Sequence, residues 1–220
     1  PDVNALIDRK EKATILWCGR YLELKHPDDV IEVARRLRDA GCCFRIEMIG
    51  SGEMEPRLRQ LASEAGLLDT NIQFLGAMSP EDVRRHMEKA GIYLFTSDRQ
   101  EGWGAVLNEA MNSGCAVVAG DAAGATPFLV QDGANGSVYH SGDVQELYEK
   151  VRRLLDDPST QRAFGSAAYR TITGLWNAET AAERFLQLSQ ALLDGRDATK
   201  LFADGPCSPA SLLREDWYRK

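Results

Sequence analysis

Short apolar runs alternate with amphipathic stretches along the first two-thirds of the chain. Ile15–Leu16–Trp17–Cys18 and the runs at 44–49, 72–75, 92–95, 116–119 and 136–139 are rich in strand-forming side chains and bounded by glycine. Such runs predict strands buried on both faces. Between them, Val30, Val33, Ala34 and Leu37 recur at i, i+3, i+4, i+7, which predicts a helix closed by Gly41. Pro56 opens a second, with Leu58, Leu61, Ala62 and Ala65 on one face and Gly66 past its end. Ser79, Pro80, Glu81 and Asp82 mark the start of a third: a capping hydroxyl, a proline in the first turn, and acids facing the positive helix end. That helix is expected to end at Gly91. Beyond Tyr139, Val144, Leu147, Tyr148, Val151, Leu154 and Leu155 form another helical stripe, and 178–193 reads as a second long helix. From Gly195 the chain turns polar, with Trp217 and Tyr218 near its end, and is expected to pack across a surface as an extension.

Gly41, Gly66, Gly91 and Gly114 recur about every 25 residues. A solenoid would also repeat, but its units would share side chains, and these do not. Strand–helix alternation of this length gives right-handed βαβ units and a parallel sheet covered by helices. The expected fold is a doubly wound, Rossmann-like α/β domain over 14–165, with an entry segment at 1–13 and a helical carboxyl extension at 166–220. Ligands of such sheets sit beyond the carboxyl ends of the strands. The residues there are Gly19–Arg20, Gly50–Ser51–Gly52, Gly76–Ala77–Met78, 97–104 and Gly120–Asp121.

Composition narrows the function. The net charge of −7 over 220 residues argues against a surface that coats nucleic acid or anionic membrane. No apolar run approaches the ~20 residues of a membrane span, and no signal-peptide pattern opens the chain. A cytoplasmic location is expected. The chain opens on Pro1 rather than Met, so a fragment or a processed product is expected. Five scattered cysteines and three distant histidines offer neither a disulfide framework nor metal-ligand spacing.

The informative segment is 97–111. A strand ends at Ser97, an acidic loop follows, and a helix starts near Gly104. Free amides at a helix start bind anions, and Gly102 and Gly104 let a ligand approach the backbone. Glu101 precedes the helix and Glu109 lies more than a turn inside it, too far apart for acid–base work on one bond. Separated carboxylates suit hydroxyl-rich ligands, each accepting bonds from a sugar diol. A capping acid and a solvated helix glutamate form the plain alternative. At the first strand's end, Arg20 and Lys25 could neutralise a diphosphate, or be ordinary exposed cations.

Together, Gly19–Arg20…Lys25, Ile49–Gly50–Ser51–Gly52, Phe74–Leu75–Gly76 and, above all, Glu101 followed after seven residues by Glu109–Ala110–Met111…Gly114 resemble the donor half of family-four retaining glycosyltransferases of the GT-B fold, from about Thr14 to about Pro158. The resemblance implies that Glu101 bonds hydroxyls of the transferred sugar and Glu109 holds the ribose diol of a UDP- or GDP-sugar. It implies that the backbone at Trp103, Gly104, Ala105 and Val106 meets sugar and distal phosphate, and that the backbone near Ala77 and Met78 meets the base. Arg20 and Lys25 would stabilise the departing diphosphate in place of a metal, with no cofactor, and the anomeric configuration would be retained. The sequence holds no Asp-x-Asp motif for a divalent ion.

Three features depart from the family pattern. His26 stands where the family lysine is usually followed by glycine. The segment Ala123–Gly124–Ala125–Thr126–Pro127–Phe128 lacks the family's acid. Trp103 replaces a frequent Phe and is expected to pack rather than stack on a sugar. The largest departure is an absence: the family's amino-terminal acceptor half has no counterpart here. The partners expected are a nucleotide sugar and that missing half, with membrane contact only through a lipid-linked acceptor. Alone, the chain is expected to transfer nothing. A related nucleotide-sugar epimerase and a non-catalytic sugar-nucleotide sensor are alternatives. A receiver-type signalling module is not, because Gly19–Arg20 and Gly76–Ala77 stand where its acids belong.

Overall fold

A computed structural model describes residues 2–210. Six parallel strands form one sheet: β1 (Glu11–Cys18), β2 (Arg45–Ile49), β3 (Ile72–Gly76), β4 (Ala90–Phe95), β5 (Ala116–Gly120) and β6 (Ser137–Tyr139). Their order is β3-β2-β1-β4-β5-β6, that of a doubly wound sheet whose direction of growth reverses between β1 and β4. Each expected strand is present within a few residues of its expected ends.

Helices α1 (Val3–Asp8), α2 (Pro27–Asp39), α3 (Glu55–Glu64), α4 (Pro80–Lys89), α5 (Ala105–Asn112), α6 (Thr126–Leu129), α7 (Val144–Asp156), α8 (Pro158–Gly174) and α9 (Ala178–Leu193) complete the described elements, with a short 3-10 turn at Glu23–Lys25. Side chains alternate across a strand, so Ile15 and Trp17 of β1 join the core beneath α2, α3 and α7, while Leu16 joins the one beneath α4, α5 and α8. Both faces are therefore covered, which explains why the strands read as continuous apolar runs. Ser79 caps α4 as expected, its hydroxyl accepting from the Asp82 amide at 3.2 Å.

Three expectations need correction. Gly91 does not close α4. The helix stops at Lys89 and Gly91 lies inside β4, where a Cβ would meet Gln161 Oε1 at 2.7 Å and the Glu11 carbonyl at 3.0 Å. Helix α8 was not expected at all, and position 165 falls in its middle. Phe164, Ala168 and Ile172 of this helix are buried against the sheet. The boundary at 13/14 falls inside β1, which begins at Glu11, and the entry segment carries α1. In the tail, the Arg184 guanidinium stacks over Phe202 at 4.8 Å. Trp217 and Tyr218 lie outside the described residues. Among the described residues, no helix is long and apolar enough to cross a membrane.

Candidate active site

The loops at the carboxyl edge of the sheet are laced together by their backbones. The Gly19 amide donates to Ile49 (3.0 Å), Gly50 to Gly76 (2.9 Å), Asp98 to Leu24 (2.9 Å) and Gly124 to Glu101 (3.1 Å). Gly50 has φ of 140°, and a Cβ on it would lie 1.8 Å from the Gly19 carbonyl oxygen. A Cβ on Gly52 would meet the Tyr21 carbonyl at 2.5 Å. These two glycines therefore admit the first loop, rather than lining either cavity described below.

Gly104 starts α5 in the left-handed region (φ 88°, ψ 63°), and a Cβ there would strike the Phe95 ring at 2.3 Å. No side chain caps the helix, so its first amides remain for a ligand. They open onto a cavity of about 170 Å³ lined by Gly19, Lys25, Ser97, Glu101, Gly104, Ala105 and Val106, among others. A larger cavity of about 420 Å³ lies between α4 and α5, walled by Met78, Val83, Met87 and Glu109, with Arg84, Asn112 and Ser113 as polar edges. Cys18 lines both cavities. Burial, then the nearby Glu109 charge, pushes its thiol up to about 11, so it is a wall and not a nucleophile.

Lys25 and Glu101 form an ion pair, each side chain mostly buried. Burial, then the Arg20 charge, holds the Lys25 ammonium below the usual lysine range. Ser97 donates to Glu101 at 3.4 Å, and the Thr96 hydroxyl donates to the Lys25 carbonyl at 2.5 Å. Of the residues singled out in the sequence, Gly19, Lys25, Glu101, Gly104, Ala105 and Val106 thus share one cavity, and Met78 and Glu109 share the other. Arg20 is exposed beside Lys25, and Ala77, Gly102 and Trp103 stand outside both linings.

Trp103 packs, stacked on Phe128 at 5.8 Å between ring centroids and beside Trp176 at 5.8 Å, with Nε1 donating to Asn108 at 2.9 Å. Sequence reasoning missed Cys18, Arg84, Asn112 and Ser113, which belong to no spaced motif and meet only through folding. It also missed that His26, Asp28 and Asp29 bring three possible cation ligands within 4.8 Å at the start of α2.

Comparison with known proteins decides the family. The model of the family "Glycosyl transferases group 1" matches residues 3–171. The chain belongs to this family. It is 29% identical over 184 residues to a GDP-mannose-dependent monoacylated α-(1-6)-phosphatidylinositol monomannoside mannosyltransferase of Corynebacterium glutamicum, covering 80% of this chain and 47% of that protein. A Mycobacterium tuberculosis mannosyltransferase, also named GDP-mannose-dependent, is 26% identical over 86% of this chain and 49% of its own length. The chain thus spans about half the length of these relatives. The C-terminal domain of a group 1 glycosyl transferase (LpcC) of Francisella tularensis superposes with a TM-score of 0.69 at 25% identity, covering 77% of this chain and 88% of that one. Anabaena HepE in complex with UDP superposes with a TM-score of 0.71 at 22% identity, over 87% of this chain and 50% of its own. This group 1 glycosyl transferase chain therefore has the architecture of a GT-B carboxyl-terminal domain.

Proposed function

We propose that the chain is the donor-binding half of a retaining, metal-independent hexosyltransferase that takes a nucleotide-diphosphate sugar. One observation carries this reading: Glu109 and Glu101 stand in two cavities that share a wall, with Lys25 and an uncapped helix start in the smaller one. Glu109 would hold the ribose diol, with the base against Met78 and the apolar walls of the larger cavity. The diphosphate would lie along the α5 amides toward Lys25 and Arg20, and the hexose would reach Glu101. Donor binding then replaces the Lys25–Glu101 pair, Lys25 turning to phosphate and Glu101 to sugar hydroxyls.

In transfer, the bond from the anomeric carbon to the diphosphate oxygen breaks and a bond to the acceptor oxygen forms on the same face. The acceptor proton passes to the departing diphosphate. Negative charge grows on that leaving group, where fixed cations and amide dipoles lower the barrier.

The remaining half of the enzyme would bring the acceptor. The half-length match supports this, and so does α9, where Phe185, Leu186, Leu192 and Leu193 stay 62–83% exposed along one stripe. Neighbouring exposed apolar side chains of this kind suit a contact surface. A lipid-linked acceptor would supply the only membrane contact, at the cytoplasmic face.

GDP-mannose is the first donor to test, because the relatives above are named for it; UDP-sugars come second. In a thermal-shift panel of UDP-, GDP-, ADP- and CMP-sugars, one nucleotide class is expected to raise the Tm in EDTA as well as in buffer, and Arg20→Ala to abolish most of the shift. Indifference to every nucleotide sugar would overturn the reading, and binding that requires a divalent ion would overturn its metal independence.

A further inference from the structure

The larger cavity is a slot between two helix faces. Pro80, Val83, Arg84 and Met87 front it at i, i+3, i+4 and i+7 along α4. Glu109, Asn112 and the capping Ser113 front it from α5 at i, i+3 and i+4. Residues at these spacings share one side of a helix. Mostly apolar walls with a few placed polar groups suit a flat ring whose edges are polar.

Three of those polar groups hold bonding capacity in reserve. The Asn112 carboxamide and the Ser113 hydroxyl make no hydrogen bond among the described residues, although Ser113 is only 4% exposed. Asn108, one turn earlier, is committed, its Oδ1 accepting from Trp103. Arg84 donates its Nε to Glu88 at 2.9 Å, which leaves the two terminal amines as a planar fork at the rim of the slot. A helix rises about 1.5 Å per residue, so Glu109 stands about 6 Å past the Ala105 amide and Asn112 about 4.5 Å past Glu109. Phosphate, ribose and base therefore follow one another along α5.

Resting on the donor-site reading, we propose that Arg84 and Asn112 are specificity-determining residues that make guanine the base of the donor. Guanine offers N7 and O6 as neighbouring acceptors on one edge, which match the Arg84 fork. Its N2 amino group lies on the opposite edge and can donate to Asn112 Oδ1. A base held between α4 and α5 thus turns one edge to each helix. Adenine places an amino donor where guanine has O6, against the cation, and lacks the N2 amino group. Uracil offers the fork a lone carbonyl without a neighbouring acceptor. Either base leaves Arg84 and Asn112 short of partners, which is how a polar pocket rejects the wrong ligand. Ser113 discriminates less, since a hydroxyl both donates and accepts.

Calorimetric titration of the chain with GDP, ADP and UDP, without a sugar, reads the base alone. GDP is expected to bind about tenfold more tightly than ADP or UDP. Arg84→Met keeps the aliphatic stem, removes the fork, and should shrink that preference to about twofold. Two analogues separate the contacts. 7-Deaza-GDP lacks N7 and should bind the parent about fivefold more weakly than GDP, yet bind Arg84→Met as GDP does. Inosine diphosphate lacks the N2 amino group and should lose about fivefold in the parent and nothing in Asn112→Ala. Each ratio is taken within one protein, and the parent ratios need no variant, so a poorly folded variant cannot imitate the result. The plain alternative is that Arg84 is a surface cation paired only with Glu88, its side chain 60% exposed. Equal affinity for the three nucleotides, a preference for ADP or UDP, or analogue losses that persist in the variants would overturn the guanine assignment and leave the donor reading standing. Binding of no nucleotide at all would count against the donor reading itself, and the assignment would fall with it.

Discussion

Asp29 shows how one side chain can be placed against its own stability. It lies in the first turn of α2, where the helix dipole welcomes an acid, but burial pushes its carboxyl up to about 6, opposed by His26 and assisted by Asp28 and Glu32. Its folded pKa thus exceeds the unfolded value of about 3.9. Between these values the folded chain binds more protons than the unfolded one, so stability falls as pH rises toward 6. Asp29→Asn should therefore be more stable than the parent by about 1–2 kcal/mol at about pH 7.5 and equal to it near pH 4, in urea melts at both values. An equal gain at both pH values would contradict this. The sequence shows Asp29 as an ordinary helix-start acid, because burial by distant elements leaves no local mark. Glu101 and Glu109 were legible, since their spacing follows the chain. Which cavity each lines depends on segments brought together from β1, β3 and β4.

Elements were legible where burial falls on large apolar residues. The strands and α2, α3 and α7 follow this rule, whereas α4, with Met87 as its buried residue, is legible from Ser79 and Pro80 at its start. Helix α8 does not: its buried positions are Gln161, Phe164, Gly165, Ala168 and Ile172, helical in spacing but mostly small or polar. The reason is close packing. A Cβ on Gly165 would lie 2.4 Å from the Gly114 carbonyl, so the helix runs directly over the loop before β5. Gly91 misled for a similar reason, as a site of close approach rather than a helix stop. A chain cut after residue 165 would strip Ala168 and Ile172 from the core beneath α5, and is expected to lose its cooperative thermal transition. A sharp melt in the truncated chain would show that α8 is dispensable. Gly50→Ala tests the loops: its methyl would overlap the Gly19 backbone and its φ would be strained. A loss of more than about 3 kcal/mol is expected in urea melts, near the upper end for single substitutions, and a loss below about 1 kcal/mol would contradict it.

At the scale of the whole molecule, the doubly wound architecture was read correctly from alternation alone. The switch between β1 and β4 explains why Gly19, Lys25 and Glu101 converge although more than eighty residues separate the first from the last. The matched relatives are about twice as long, and α9 offers an uncovered apolar stripe, so donor binding and transfer are expected to separate. The 220-residue chain should bind a nucleotide sugar yet transfer nothing until the amino-terminal half is supplied. A product assay with radiolabelled donor checks this, and robust transfer by the chain alone would contradict it. In the proposed site, nucleotide and sugar occupy different cavities under different carboxylates. Calorimetric titration of GDP and GDP-mannose, or of the UDP pair if that class binds, into Glu101→Gln and Glu109→Gln tests it most directly. Glu109→Gln should weaken both ligands by about tenfold, the worth of a charge-assisted bond, whereas Glu101→Gln should weaken the nucleotide sugar alone. Equal effects of the two variants on both ligands, or none from Glu109→Gln, would contradict the account.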